Sequence, residues 1–184
     1  ARDVWFVVGL PVFLYDVLNW RFAEIGAFLA LWVIGYGFVQ GVAPMMTKRS
    51  ADGRSSEVRA AQVWVLALAM VTLALAGAVQ SGVSPTMTLI VGLGVFGFFF
   101  AVNSAVHSYL ILALSDSDGV SLNVGFYYMA NAAGRLGGTL LSGLAYQWGG
   151  LPGCLITAAV LLGFAGIFTL ALGPVVHERA APAE

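Results

Sequence analysis

An arginine inside an apolar segment is the most chemically informative residue of this chain. From Asn123 to Gly150 the sequence reads NVGFYYMANAAGRLGGTLLSGLAYQWGG, hydrophobic enough for a bilayer yet carrying Asn123, Tyr127, Tyr128, Asn131 and Arg135. Tyr127, Asn131 and Arg135 follow one another at intervals of four, and Tyr128 lies three before Asn131, so a helix puts them all on one face. A guanidinium in hydrocarbon costs at least ~3 kcal/mol even on the lenient insertion scale, so it persists where it faces protein, water or a ligand. It stays charged and offers a forked donor set that matches carboxylate or phosphate oxygens. Two roles are open to Arg135: contact with an anionic substrate, or an ion pair or carbonyl contact that fixes helix packing.

A second polar set lies in the preceding apolar run, where Asn103, Ser104, His107, Ser108 and Tyr109 are grouped. His107 suits a proton carrier or substrate contact, and equally a satisfied buried imidazole. It precedes the end of its run at 114 by seven residues, and Tyr127 follows the start of the next at 120 by seven. At ~1.5 Å per residue both lie ~10 Å inside the same end, so an antiparallel pair would bring the two polar faces within reach. Asn103, Tyr127, Tyr128 and Asn131 fit a hydrogen-bonding cavity wall, although polar contacts between helices use the same residue types.

Catalytic and metal chemistry find no support. Leu140-Leu141-Ser142-Gly143 lacks the first glycine of a Gly-x-Ser-Gly turn, and neither an HExxH pair nor a phosphate-binding loop occurs. Cys154 is the single cysteine, which excludes an internal disulfide and any multi-cysteine metal site, and it reads as a small packing residue. No enzyme activity, cofactor or metal is expected.

The elements that position these residues follow from composition. Sixty per cent of the 184 residues are hydrophobic, 9% are charged, and mean hydropathy is +0.91. A water-soluble domain of this size could not hide so much apolar surface. The expected class is an all-α polytopic membrane protein, since the alternation of a membrane β-barrel is absent. A net charge of −1 gives no footprint for nucleic acid. Spans are expected at roughly 1–18, 25–46, 60–80, 87–114, 120–148 and 151–172, with a polar loop at 47–59 and a tail at 173–184. The first is read as truncated: the chain begins at Ala1, and Val4–Tyr15 is shorter than the ~20 apolar residues a span needs. Lys48, Arg49, Arg54, Arg59 and Arg179 fall on one side and Arg21 on the other, which makes the loop and the C-terminus cytoplasmic. Ala130, Gly134, Gly138 and Ser142 form a ladder of small residues for close helix approach, as do Gly37 and Gly41.

Six spans with a basic loop after the second and an intramembrane arginine resemble half of a major facilitator superfamily transporter. GFVQGVAPMMTKRSADGR resembles a degenerate copy of that superfamily's loop motif, lacking its usual acidic residue. Within the superfamily, ARDVWFVVGLPVFL, FLALWVIGYGFVQ, AVNSAVHSYLI and NVGFYYMANAAGRLGGTLLSG resemble the C-terminal half of the organoarsenical efflux permeases, the J permeases of bacterial arsenic operons. The resemblance covers nearly the whole chain. It implies an inner-membrane protein whose N-terminal half is missing here, with Arg2 and Asp3 inside the seventh helix of the full permease. It also implies export of 1-arseno-3-phosphoglycerate, made in the cytoplasm by a glyceraldehyde-3-phosphate dehydrogenase acting on arsenate. Arg2, Arg135 and His107 would suit such a compact polyanion, and proton antiport would use His107 or Asp3. An exporter of another organic anion or drug is the alternative. A membrane scaffold is a third reading, against which the polar intramembrane face argues.

Overall fold

Apolar runs separated by glycine, proline and short polar stretches become helices in the computed structural model. It describes residues 2–46, 54–114 and 120–180; the side chains of 3, 44–46, 54–58, 112–114, 120 and 171–180 lie outside that description. Most of the 47–59 loop, the 115–119 turn and the end of the tail therefore lie outside it as well. Among the described residues there is no strand. A 3-10 turn, Arg2–Val4, leads into α1 (Gly9–Asp16), α2 (Phe22–Met46), α3 (Arg54–Gln80), α4 (Pro85–Leu114) and α5 (Val120–Ala180).

The expected first helix over 1–18 is interrupted, and Pro11 supplies the reason. Proline has no N–H to donate and its ring clashes with the carbonyl four residues back, so a helix cannot run through it unbroken. With α1 starting at Gly9, Pro11 sits in the first turn, where no N–H is needed. The backbone before it is bridged by Leu10 N–H donating to the Trp5 carbonyl at 2.6 Å and Phe6 N–H to the Arg2 carbonyl at 3.0 Å. This break swings Arg2–Val4 against the remainder of the bundle.

Local chemistry also marks later boundaries. Arg21 N–H donates to Glu24 Oε2 at 2.8 Å, half of a capping box at the start of α2. Pro85 opens α4 at a position proline favours. The stretch 120–180 is helical at both ends but broken at Gly149 (φ −151°, ψ 17°) and Gly150 (φ 59°, ψ −152°). Here the chain reverses. Cys154 Sγ lies 3.5 Å from the Ser142 carbonyl oxygen, whereas twelve residues of straight helix would separate them by ~18 Å. A Cβ at Gly153 would lie 2.7 Å from the Ala145 carbonyl oxygen, so the two arms of α5 meet backbone to backbone. Gly150 supplies the left-handed φ that the reversal requires.

α3 packs on α4 and α5, α2 packs on α4, and the 3-10 turn and α1 lie on α5. The core holds Val4, Trp5, Leu10, Leu14, Leu68, Leu93, Phe96 and Leu155, each at most 1% exposed. Small residues close the joint between α1 and the α5 hairpin: Gly9 N–H donates to Ser142 Oγ at 3.2 Å, and a Cβ at Gly9 would lie 3.0 Å from Cys154 Sγ. Cys154 is fully buried, as a packing residue would be.

Among the described residues four stretches are long and apolar enough to cross a membrane: Phe22–Ala43, Arg59–Gln80, Pro85–Ile111 and Ser121–Leu170, the last containing the reversal. Large apolar side chains such as Leu31, Ile34, Phe38, Met70, Leu136, Leu140 and Phe168 stand exposed, which a bilayer accommodates and water does not. The protein is all-helical, with the character of a multi-helix membrane protein.

Candidate functional site

The densest polar and aromatic arrangement lies on the seam between α2 and α4. Trp32, Tyr36 and Gln40 recur every four residues on α2 and meet Leu93, Gly97, Phe100 and Ser104 on α4. Trp32 Nε1 donates to the Leu93 carbonyl at 2.7 Å. Gly97 makes that fit, since a Cβ there would lie 3.2 Å from the indole. The Trp32 and Tyr36 rings stack at 5.7 Å, Tyr36 and Phe100 at 5.2 Å, and Phe100 and Phe96 at 5.6 Å. One turn further along, Gln40 Nε2 donates to Ser104 Oγ at 3.3 Å.

Arg2 reaches this seam through its side chain, from a 3-10 turn that itself lies on α5. Its guanidinium lies 5.3 Å from the Phe100 ring centre and 5.5 Å from that of Phe6, and Phe6 in turn packs on Trp32 at 4.5 Å. Cation–π contacts of this kind contribute ~0.5–2 kcal/mol each, depending on desolvation, and fix where the charge sits. Asp3, the other charge expected here, has its side chain outside the described residues.

Asn103 and His107 continue the α4 side of the seam, and both are half-buried. His107 Nδ1 lies 2.9 Å from the Asn103 carbonyl. A carbonyl only accepts, so Nδ1 carries the proton in this contact and Nε2 is the nitrogen left to face other groups. Asn103 Oδ1 is buried and has no hydrogen-bond donor among the described residues; Trp5 Nε1 likewise has no acceptor there.

The second polar set lies on α5. Tyr127 is half-buried and stacks obliquely on Tyr128 at 5.5 Å, while Tyr128, Asn131 and Arg135 lie on the exposed side of the first arm of α5. Taken over both arms, α5 packs chiefly on α3 and only slightly on α4. Arg2 lies against Phe100 of α4, which also carries Asn103 and His107, while Tyr127, Tyr128, Asn131 and Arg135 are carried by α5. The small-residue ladder changes surroundings along the same arm. Gly138 and Ser142 are buried, whereas Ala130 and Gly134 are exposed and a Cβ at Gly134 would meet nothing within 4 Å. The expectation that Gly134 packs on a neighbouring helix is not met among the described residues, whereas further along the arm Ser142 meets Gly9 of α1 and Cys154 of the returning arm.

Tyr36, Gln40 and Ser104 received no role from the sequence. Their signal was present: Tyr36 and Gln40 are four apart in an uncharged span, and Ser104 adjoins Asn103. A cavity of about 660 Å³ opens at the turn between α1 and α2, lined by residues including Tyr15, Asp16, Trp20 and Arg21, and none of the expected site residues borders it. Among the described residues no group of three His, Cys, Asp or Glu side chains could hold a metal ion. No protein-family profile matches the chain, and neither a curated protein nor a solved structure does.

Proposed function

We propose that this chain is the C-terminal six-helix half of a secondary transporter of the major facilitator type, exporting a compact organic anion from the cytoplasm by exchange with protons. The observation that carries this reading is the position of Arg135. It lies mid-way along an apolar arm, on a side that the other helices of the chain leave exposed, together with Asn131 and Tyr128. A charge facing hydrocarbon there is costly, so the face suits a second protein half with an aqueous, anion-binding space between the two. Arg2, held over Phe100, offers a second cation to the same class of ligand. The resemblance to organoarsenical efflux permeases supplies the particular substrate, 1-arseno-3-phosphoglycerate, and its pairing with a glyceraldehyde-3-phosphate dehydrogenase.

In this mechanism Arg135 and Arg2 bind the charged oxygens, Asn131, Tyr127 and Tyr128 orient them, and His107 or Asp3 exchanges the proton. The cytoplasmic placement of the C-terminus follows from the basic residues counted on that side. Arsenate resistance in cells expressing the full-length protein with the dehydrogenase tests the proposal. Arg135→Ala should abolish resistance and Arg135→Lys, which keeps the charge but loses the fork, should weaken it, both at unchanged membrane levels. Full resistance in Arg135→Ala would refute the assignment.

A further inference from the structure

The cavity of about 660 Å³ at the turn between α1 and α2 has no part in the transport reading, and its lining carries both signs of charge. Tyr15 and Asp16, the last residues of α1, border it, and so do Arg21 and Phe22, where α2 begins. Asn19, in the left-handed conformation at φ 55°, lies in the turn between them and borders the same space. Asp16 is a carboxylate at a helix C-terminus, whose outward carbonyls already carry partial negative charge. Arg21 is a cation just before a helix N-terminus, whose first N–H groups carry partial positive charge. Each charge therefore adds to the field of its helix end. Glu24 offsets part of the second by accepting the Arg21 N–H at 2.8 Å. Among the described residues no hydrogen bond or ion pair engages the side chains of Asp16, Asn19 or Arg21.

The apolar span of α2 starts at Phe22, so the cavity lies where polar chain gives way to hydrocarbon, the level of lipid headgroups. Aromatic rings mark that level: Tyr15 and Phe22 stack at 4.7 Å, and Trp20 stands edge-on to Phe28 at 5.4 Å. From Phe22 onward, Gly26, Ala30, Val33 and Gly37 continue one face of α2, and all are exposed. A Cβ at Gly26 or Gly37 would meet nothing within 4 Å, so this face is a shallow apolar track leading away from the cavity. We infer that the cavity holds the headgroup of a zwitterionic phospholipid, with its phosphate on Arg21, its ammonium on Asp16 and an acyl chain along the track. A primary ammonium fits better than a quaternary one, because it donates to the Asp16 carboxylate and the Asn19 amide oxygen, which trimethylammonium cannot. A purely anionic headgroup leaves Asp16 facing like charge. A soluble zwitterion carries the same two charges but covers none of the apolar track. The inference rests on the membrane character of the chain and is independent of the transport reading.

The experiment gives the full-length protein in detergent an equimolar mixture of phosphatidylethanolamine and phosphatidylglycerol with identical acyl chains. Native mass spectrometry then reads the ratio of the two lipids retained. Phosphatidylethanolamine should lead by about twofold to fivefold, the size expected of one partly exposed ion pair. Asp16→Lys makes the site doubly cationic and should invert the ratio, while Arg21→Gln should lower retention of both lipids. Phosphatidylcholine in place of phosphatidylethanolamine should lose the lead. Soluble phosphoethanolamine in large excess should leave the lipid in place. Each ratio is read within one preparation, so the unmodified protein decides the matter even if a variant fails to fold. Equal retention by the unmodified protein, an unchanged ratio in Asp16→Lys, or an equal lead for phosphatidylcholine would each overturn the headgroup assignment. Displacement by phosphoethanolamine would give the cavity to a soluble zwitterion and overturn the lipid.

Discussion

Gln40 and Asn131 are both amides set in apolar helices, yet their surroundings differ completely. Gln40 is half-buried on the α2–α4 seam and donates to Ser104, one turn from a stack of Trp32, Tyr36 and Phe100. Asn131 stands on the exposed side of α5 beside Arg135 and Tyr128, with open space at Gly134. Polar groups on the seam therefore contribute to holding this bundle together. Those on the outer face of α5 are exposed within this bundle, where charge in an apolar arm is costly against hydrocarbon. A substitution on the seam should register first as lost stability, and one on the outer face as lost transport.

The largest effect separating the two regions should come from glycine substitutions. Gly97→Leu drives a branched side chain into the Trp32 indole, which a Cβ alone would approach to 3.2 Å. Overpacking of this kind costs ~1–3 kcal/mol and should also break the Trp32–Leu93 bond. Thermal unfolding of the detergent-purified protein should show a clear fall in midpoint. An unchanged midpoint would mean that the seam is looser than these contacts imply.

Next in size is the amide pair. Gln40→Leu should cost ~1 kcal/mol, the net worth of one hydrogen bond between helices, and lower the unfolding midpoint accordingly. Asn131→Leu should leave the midpoint near its original value while reducing arsenate resistance in the full-length protein. If Asn131→Leu destabilises as much as Gln40→Leu, the contrast between the regions collapses.

Trp32→Phe sharpens the comparison within the seam. It keeps most of the ring packing on Phe6 and Tyr36 but loses the donor to the Leu93 carbonyl, for an expected cost of ~1 kcal/mol. The smallest effect belongs to Gly134→Ala, whose Cβ meets nothing within 4 Å. Alanine favours helix over glycine by up to ~1 kcal/mol, so the midpoint should hold or rise slightly. A marked drop would show that a helix from elsewhere in the full-length protein approaches this face closely, and it would locate the contact at Gly134.

Much of the fold is legible in the sequence because its determinants are local. Apolar runs of span length, the Gly149–Gly150 pair, Pro85 and the polar turn before Phe22 each act on their own few residues, through backbone dihedrals and the cost of exposing peptide groups to hydrocarbon. Pro11 is legible too, but its consequence is larger than a loosened helix: it divides the opening stretch into a 3-10 turn and a short helix. The period of 3.6 residues by itself places Tyr127, Asn131 and Arg135 on one face.

Tertiary packing alone decided what each face meets. Helical spacing groups residues within a segment and says nothing of the segment opposite, so Arg2 lying on Phe100 and Gln40 reaching Ser104 had no sequence signature that distinguished them from other pairs. Asn103 shows the division most sharply. Its polarity in an apolar run is visible in the sequence, but only the packed bundle shows that its neighbours' bonds are taken while its own amide oxygen lies buried and unserved.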